Sequence, residues 1–199
     1  MIDITSIHNS EPYMFFKRNY EKALKKNQDY IEAVSISSFD KDINEVNSRF
    51  VNLKKIDQED WIFFSNYESP KAKEINSHKQ ISALFFWNKI GVQIRIKAKI
   101  SFLDSEESDK HFVEREYKKN VLAISSNQSK KIESYEKVLK NYDDVLKKID
   151  KNIHRPSYWG GFKFKPYYFE FWEGNVYRIN RRIAFELNDQ KWKRFFLEP

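Results

Sequence analysis

From Val92 to Phe102 every second residue is apolar: Val92, Ile94, Ile96, Ala98, Ile100 and Phe102 alternate with Gln93, Arg95, Lys97, Lys99 and Ser101. A period of two predicts a strand with one face in a core and the other in water. The same reasoning predicts strands over 31–39, where Val34 and Ile36 alternate with Ser35 and Ser37, and over 46–55, 61–66 and 81–87. Further strands at about 167–172 and 176–186 flank Glu173-Gly174-Asn175, which reads as a hairpin turn.

Helical spacing marks the remaining segments. Phe16, Tyr20, Ala23 and Leu24 share one face of a helix over 11–27, with Pro12 near its start. Ser69-Pro70 reads as an N-cap with proline at the first helical position, opening a short helix through Ser77. Ser105 caps a helix predicted to run to about Lys119. Ser129 to Lys151 carries Ile132, Tyr135, Val138, Leu139, Tyr142, Val145, Leu146 and Ile149 as one stripe, predicting a packing element, and 151–156 reads as a loop.

Composition narrows the class. A chain of 199 residues with no internal repeat or Gly/Ser linker suits one domain, 1–199. At 17% aromatic content, Phe, Tyr and Trp must supply much of its core. The absence of cysteine excludes disulfides, a thiolate nucleophile and a Cys-rich metal site. The net charge of +7 raises nucleic acid as a partner, but the lysines lie in helices that also carry Glu and Asp, so a solvated face explains the excess. Met1 to Ser10 lacks the pattern of a signal peptide, and no apolar run is long enough to span a bilayer. The expectation is a cytoplasmic protein bound to neither nucleic acid nor membrane.

Candidate chemistry clusters between Arg155 and Arg182, where three of the four glycines lie. Period two puts Arg178, Asn180 and Arg182 on one strand face. His111, Arg115 and Lys119 recur every fourth residue and so share a helix face, either a solvated basic stripe or an anion site. An imidazole there would bind anions better as pH falls through about 6.5. The helix start after Ser69 offers free N–H groups and a positive dipole end, with Lys71 adding charge. Arg49 and Lys54 sit at opposite ends of one predicted strand. No His/Asp/Glu set has metal-ligand spacing, and neither a nucleotide glycine loop nor a Ser/His/Asp arrangement is present.

The stretch Arg155 to Arg182 resembles the C-terminal signature of the pyridoxamine 5'-phosphate oxidase family. Arg49-Phe50-Val51-Asn52-Leu53-Lys54, Phe63-Phe64-Ser65-Asn66, Ser69-Pro70-Lys71, Phe85-Phe86-Trp87, Gln93, Gln128-Ser129 and Leu197-Glu198-Pro199 extend the resemblance over about 12–199. It implies an α+β, mainly β fold: an FMN-binding split β-barrel of antiparallel strands with peripheral helices. It also implies a homodimer with FMN at the subunit interface. The flavin contacts it implies are Arg49, Lys54, Phe64, Ser65, Ser69, Lys71, Gln93, Gln128, Ser129, Trp172 and Arg182. Lys54, His111, Arg115, Lys119, Arg178 and Asn180 would hold the substrate, with Arg178 and Asn180 at the reacting centre. The implied reaction oxidises pyridoxine or pyridoxamine 5'-phosphate with O2 as acceptor. Pro70, His111, Lys119 and Asn180 stand where the family usually has arginine, tyrosine, serine and histidine. Those departures keep two rivals open: a flavin reductase or oxidase of the same fold with another substrate, and a non-enzymatic module binding FMN or pyridoxal phosphate.

Overall fold

The computed structural model describes residues 1–149 and 153–199. The chain begins with β1 (Asp3–Ile7) and α1 (Glu11–Lys25), followed by β2 (Ala33–Asp40), β3 (Glu45–Asn52), β4 (Lys55–Gln58) and β5 (Asp60–Asn66). The short α2 (Pro70–Ser77) leads to β6 (Gln80–Trp87) and β7 (Val92–Phe102). Three helices come next, α3 (Ser105–Glu114), α4 (Tyr117–Ser125) and α5 (Tyr135–Lys148), before β8 (Trp159–Glu173), β9 (Arg181–Asn188) and β10 (Lys191–Leu197).

The strands form one sheet in the order β1-β4-β5-β8-β7-β6-β2-β3, with β9 on β8 and β10 on β9. Apart from the β1–β4 pair, which is parallel, neighbouring strands are antiparallel. The α+β split barrel is thus the observed architecture. The long strand β8 holds it together: Trp159 to Phe164 pair with β5, Tyr168 to Glu173 pair with β9, and the opposite edge follows β7 along most of its length. The change of partner falls at a bulge, where Lys97 and Ala98 face Tyr168 and Pro166 and leave Tyr167 unpaired. Proline suits that place because it has no N–H for a ladder.

Aromatic side chains fill the interior, as composition requires. From α1, the fully buried Phe16 lies 4.4 Å from Trp61 and packs on Phe85 and Trp87. Tyr13 contacts Phe169 and Trp192 edge-on, so the same helix closes the end of the sheet near β10.

Several expectations need correction. The strand expected over 46–55 stops at Asn52, and a separate β4 follows, because Leu53 and Lys54 turn their backbone bonds to Glu32 and Ile62. The helix expected over 105–119 breaks at Arg115, whose ψ of 146° is extended. There the Asn120 side chain donates to the Phe112 carbonyl at 2.7 Å, satisfying a group that a continuous helix would have bonded itself. The strand expected over 176–186 begins only at Arg181, since residues 174–180 form a loop. Its turn bonds Arg178 N–H to the Asn175 carbonyl, and Arg178 takes a left-handed φ of +62°. Helix α5 begins after Ser134 rather than Ser129; it packs on α4 through the half-buried Val138, Tyr142, Val145 and Leu146, and none of its residues is fully buried. The expected end of that helix and the start of the next loop, at 150–152, lie outside the described residues.

Candidate functional site

A cleft of about 710 Å³ opens where β3, β5, the start of α2, α3 and the segment before α5 meet. Arg49 and Lys54 line it from one side, Phe64 and Ser65 from its floor, and Ser69 and Lys71 from the helix start. His111, Arg115 and Lys119 line it too, although they no longer share one helix, and Gln128 and Ser129 complete the wall. Eleven residues expected from scattered sequence blocks therefore converge on one cavity.

The floor is built around Lys71. Its ammonium, in a residue only 6% exposed, donates to Ser65 Oγ at 2.6 Å and to Ser69 Oγ at 3.1 Å. Ser69 Oγ in turn donates to the Asn66 carbonyl at 2.7 Å and so does not cap α2 through its side chain. In the first turn of α2, Pro70 has no N–H, and the Ala72 and Lys73 N–H groups bond the Ser69 carbonyl at 2.9 and 3.3 Å, which leaves the Lys71 N–H without a backbone partner among the described residues. Among the described residues no carboxylate lies within salt-bridge reach of Lys71. Burial, and then the neighbouring Arg49, lower its pKa to about 8. Two of the three ammonium donors are used, so one remains free to donate at the helix start.

Beside it, Arg49 pairs with Glu74 from α2 at 2.9 Å. Gln128 closes the opposite side, its Oε1 accepting from Asn66 N–H at 3.3 Å and Ser65 Oγ at 3.4 Å. Ser129, which lines the same side, adopts a left-handed φ of +66°. The far wall is an aromatic ladder in which Phe64 and Trp159 stand parallel at 5.5 Å with His111 stacked on Phe64. Arg115 stacks 5.0 Å above the Trp159 ring and donates to the Lys119 carbonyl at 2.8 Å and to Asn120 Oδ1 at 3.1 Å. Lys119 is turned outward to Glu116 at 2.9 Å. Burial, reinforced by Arg115 and Lys54, holds the His111 pKa down at about 4. His111 is therefore a neutral imidazole near pH 7, and the expected gain of anion affinity through pH 6.5 is withdrawn.

The remaining expected residues do not line this cleft. Gln93, Trp172 and Arg182 are direct cross-strand partners on β7, β8 and β9 and so project from one face of the sheet. Arg182 donates twice to the buried Glu170, at 2.8 and 3.0 Å, and to the Glu198 carbonyl at 2.7 Å. Arg95 pairs with the same carboxylate at 2.9 Å. Arg178 and Asn180 sit in the preceding loop, where Asn180 Oδ1 accepts from Asn175 N–H at 3.1 Å. The expectation that these two share a strand face with Arg182 is overturned by that loop. Glu74, Asn47 and Trp159 also line or brace the cleft and were not read from sequence as site residues. Their only signal was proximity in the chain to Lys71, Arg49 and Gly160-Gly161. Among the described residues no group of acidic and histidine side chains could hold a metal, and no helix is long and apolar enough to cross a membrane.

An antiparallel split barrel with a cation-lined cleft beside β3 and β5 defines the class of FMN-binding split-barrel proteins. A solved structure of PhzG from Burkholderia lata 383, in complex with tetrahydrophenazine-1-carboxylic acid, superposes with a TM-score of 0.88 at 26% identity, covering 96% of this chain and 93% of that one. A pyridoxamine 5'-phosphate oxidase-related, FMN-binding protein from Nostoc punctiforme shares the fold, with a TM-score of 0.77 at 13% identity over 96% of this chain and 99% of that one. The family model described as pyridoxamine 5'-phosphate oxidase matches residues 20–146, and that of the pyridoxine 5'-phosphate oxidase C-terminal dimerisation region matches 159–199. The pyridoxine/pyridoxamine 5'-phosphate oxidase of Colwellia psychrerythraea is 34% identical over 96% of this chain and 88% of its own length. That of Cytophaga hutchinsonii is 37% identical over 76% and 72%. The chain belongs to the pyridoxamine 5'-phosphate oxidase family, a family of FMN-binding oxidoreductases.

Proposed function

We propose that this chain oxidises pyridoxine 5'-phosphate or pyridoxamine 5'-phosphate to pyridoxal 5'-phosphate, using FMN and passing electrons to O2. The observation that carries the reading is the buried Lys71 ammonium at the start of α2, with a donor to spare and, among the described residues, no ion pair of its own. An FMN phosphate would supply an anion, held by the Lys71 ammonium and backbone N–H at the start of α2 and by Arg49. Bound there, FMN supplies the electron-accepting ring that no side chain can provide.

The protein's own contribution is binding and alignment. Lys54 and Arg115 place positive charge along the second half of the cleft, where a substrate phosphate would sit. His111, neutral and stacked on Phe64, offers a flat polar edge rather than a charge. Gln93, Trp172, Arg178, Asn180 and Arg182 lie outside the cleft of their own protomer. A homodimer that sets this face of one chain against the cleft of its partner would reunite them, with FMN at the interface and the substrate under Arg178 and Asn180. The exposed Phe50 on β3 and Phe86 on β6, strands separated by β2 in the same sheet, give such an interface apolar area.

The neutral His111 and the loop position of Asn180 favour one further reading, an oxidase or reductase of the same fold with a different substrate. Anaerobic addition of pyridoxine 5'-phosphate to the FMN-loaded protein separates the two. Bleaching of the flavin absorbance that air restores supports the proposed reaction; a flavin that stays oxidised transfers preference to another substrate. A protein that cannot be loaded with FMN overturns both.

A further inference from the structure

Glu74 is 2% exposed and lies one turn beyond Lys71 on α2. Burying a carboxylate is costly unless donors surround it. Here they do: Arg49 Nη2 donates at 2.9 Å, Asn47 Nδ2 at 3.2 Å, and the Ser38 hydroxyl also donates. Ser38 Oγ accepts from Arg49 Nη1 in turn, closing a ring of Arg49, Ser38 and Glu74. Both terminal nitrogens of the guanidinium are thereby pinned from behind. The donors they leave over are available to the cleft that Arg49 lines.

We infer that Glu74 is a positioning residue for flavin phosphate recognition, fixing the Arg49 guanidinium in line with the start of α2. This rests on the reading of the cleft as the FMN phosphate site. A long arginine on an unbraced strand would spend rotamer entropy on each anion it bound, whereas the Glu74–Ser38 ring has already spent it in folding. The same carboxylate opposes the mutual repulsion of Arg49 and Lys71, since its charge acts on Lys71 against the lowering effects of burial and Arg49.

Riboflavin provides the test, because it carries the ring and sugar-alcohol chain of FMN without the phosphate. Fluorescence titration of the flavin-free dimer with each ligand, for the unaltered protein, Glu74→Gln and Ser38→Ala, reads the phosphate contribution separately from the rest. The unaltered protein is expected to prefer FMN by on the order of a hundredfold. Glu74→Gln should weaken FMN roughly tenfold and Ser38→Ala about threefold, with riboflavin affinity unchanged in both. Equal losses for the two ligands would make the cluster a structural tie only and overturn the inference. An unchanged or tighter FMN affinity in Glu74→Gln would overturn it too, because removal of a counter-charge would then outweigh positioning. If Glu74→Gln fails to fold, Ser38→Ala, which removes one hydroxyl, decides by the same comparison. An unaltered protein that does not distinguish FMN from riboflavin sinks the phosphate reading itself, and the role of Glu74 with it.

Discussion

The imidazole of His111 lies flat on the ring of Phe64, with centroids 3.7 Å apart and planes 7° apart. Stacking at that distance excludes water from one ring face, and Arg115 and Lys54 oppose a third positive charge in the cleft. His111 therefore gains its proton only near pH 4.

From this, phosphate affinity should show no step centred at about pH 6.5 from a free His111 imidazole, since its proton is gained in the empty cleft only near pH 4. Stability should carry the signature instead. A histidine with a depressed folded pKa takes up protons more readily when unfolded, so its contribution is complete above about 6.5 and is lost as pH falls toward 4. With the ring partly in contact with solvent, the loss should be about 1 kcal/mol. Denaturant unfolding at pH 7 and pH 4.5, compared between the unaltered chain and His111→Phe, checks it; an equal pH dependence in the two would place the titration elsewhere.

Lys71 titrates in the opposite sense for ligand binding. Its ammonium is charged below about 8 and neutral above, so flavin affinity should fall as pH rises past that value. Lys71→Met should flatten that limb and weaken FMN binding by about tenfold to a hundredfold at pH 7. Retained pH dependence in the variant would assign the proton to another group.

Arg115 braces the break between α3 and α4 as well as facing the cleft. Arg115→Ala should raise the KM for the phosphorylated substrate at least about tenfold while flavin stays bound, and cost about 1–2 kcal/mol of stability. Loss of flavin with unchanged KM would move Arg115 to the cofactor side of the cleft.

Asn180 offers a test of the second half-site. An amide can donate and accept but cannot stack as a flat ring, so Asn180→His should raise kcat and leave FMN affinity unchanged. Undetectable oxidation of pyridoxine 5'-phosphate in the flavin-loaded variant would favour a different substrate.

Gly161 faces Phe64 across the β5–β8 ladder, and a Cβ there would lie 2.8 Å from Leu103 Cβ and 2.5 Å from its Cδ2. Gly161→Ala should destabilise the fold by about 1–3 kcal/mol and disturb the cleft floor. Thermal melting with and without FMN reads both effects.

Much of this architecture was legible where one physical signal dominated. The alternation from Val92 to Ile100 is buried residue by residue as the period requires, because one face of β7 meets the aromatic core throughout. The start of α2 was legible because Ser69 and Pro70 mark a helix start, and α2 begins there. What escaped depended on partners distant in sequence. The break at Arg115 is stabilised by Asn120, a side chain whose role no periodicity encodes. The loop at 174–180 is anchored by Gly174 N–H on the Gly91 carbonyl, a contact between separate turns. Strand β1 pairs in parallel with β4, and neither carries a pattern strong enough to announce that pairing. Glu74 looked like one more helix carboxylate until β2 and β3 closed over it.

The strand β8 borders both half-sites, next to Phe64 and Ser65 at its beginning and carrying Trp172 near its end. In the proposed dimer, damage to either half would be complementable. A chain carrying Lys71→Met and a chain carrying Arg182→Ala, each impaired alone, would on mixing form hybrids with one doubly damaged cleft and one intact cleft. At random assortment about a quarter of all clefts would be restored. Two defective genes could thus yield working enzyme between them, while two lesions within the Lys71 half could not.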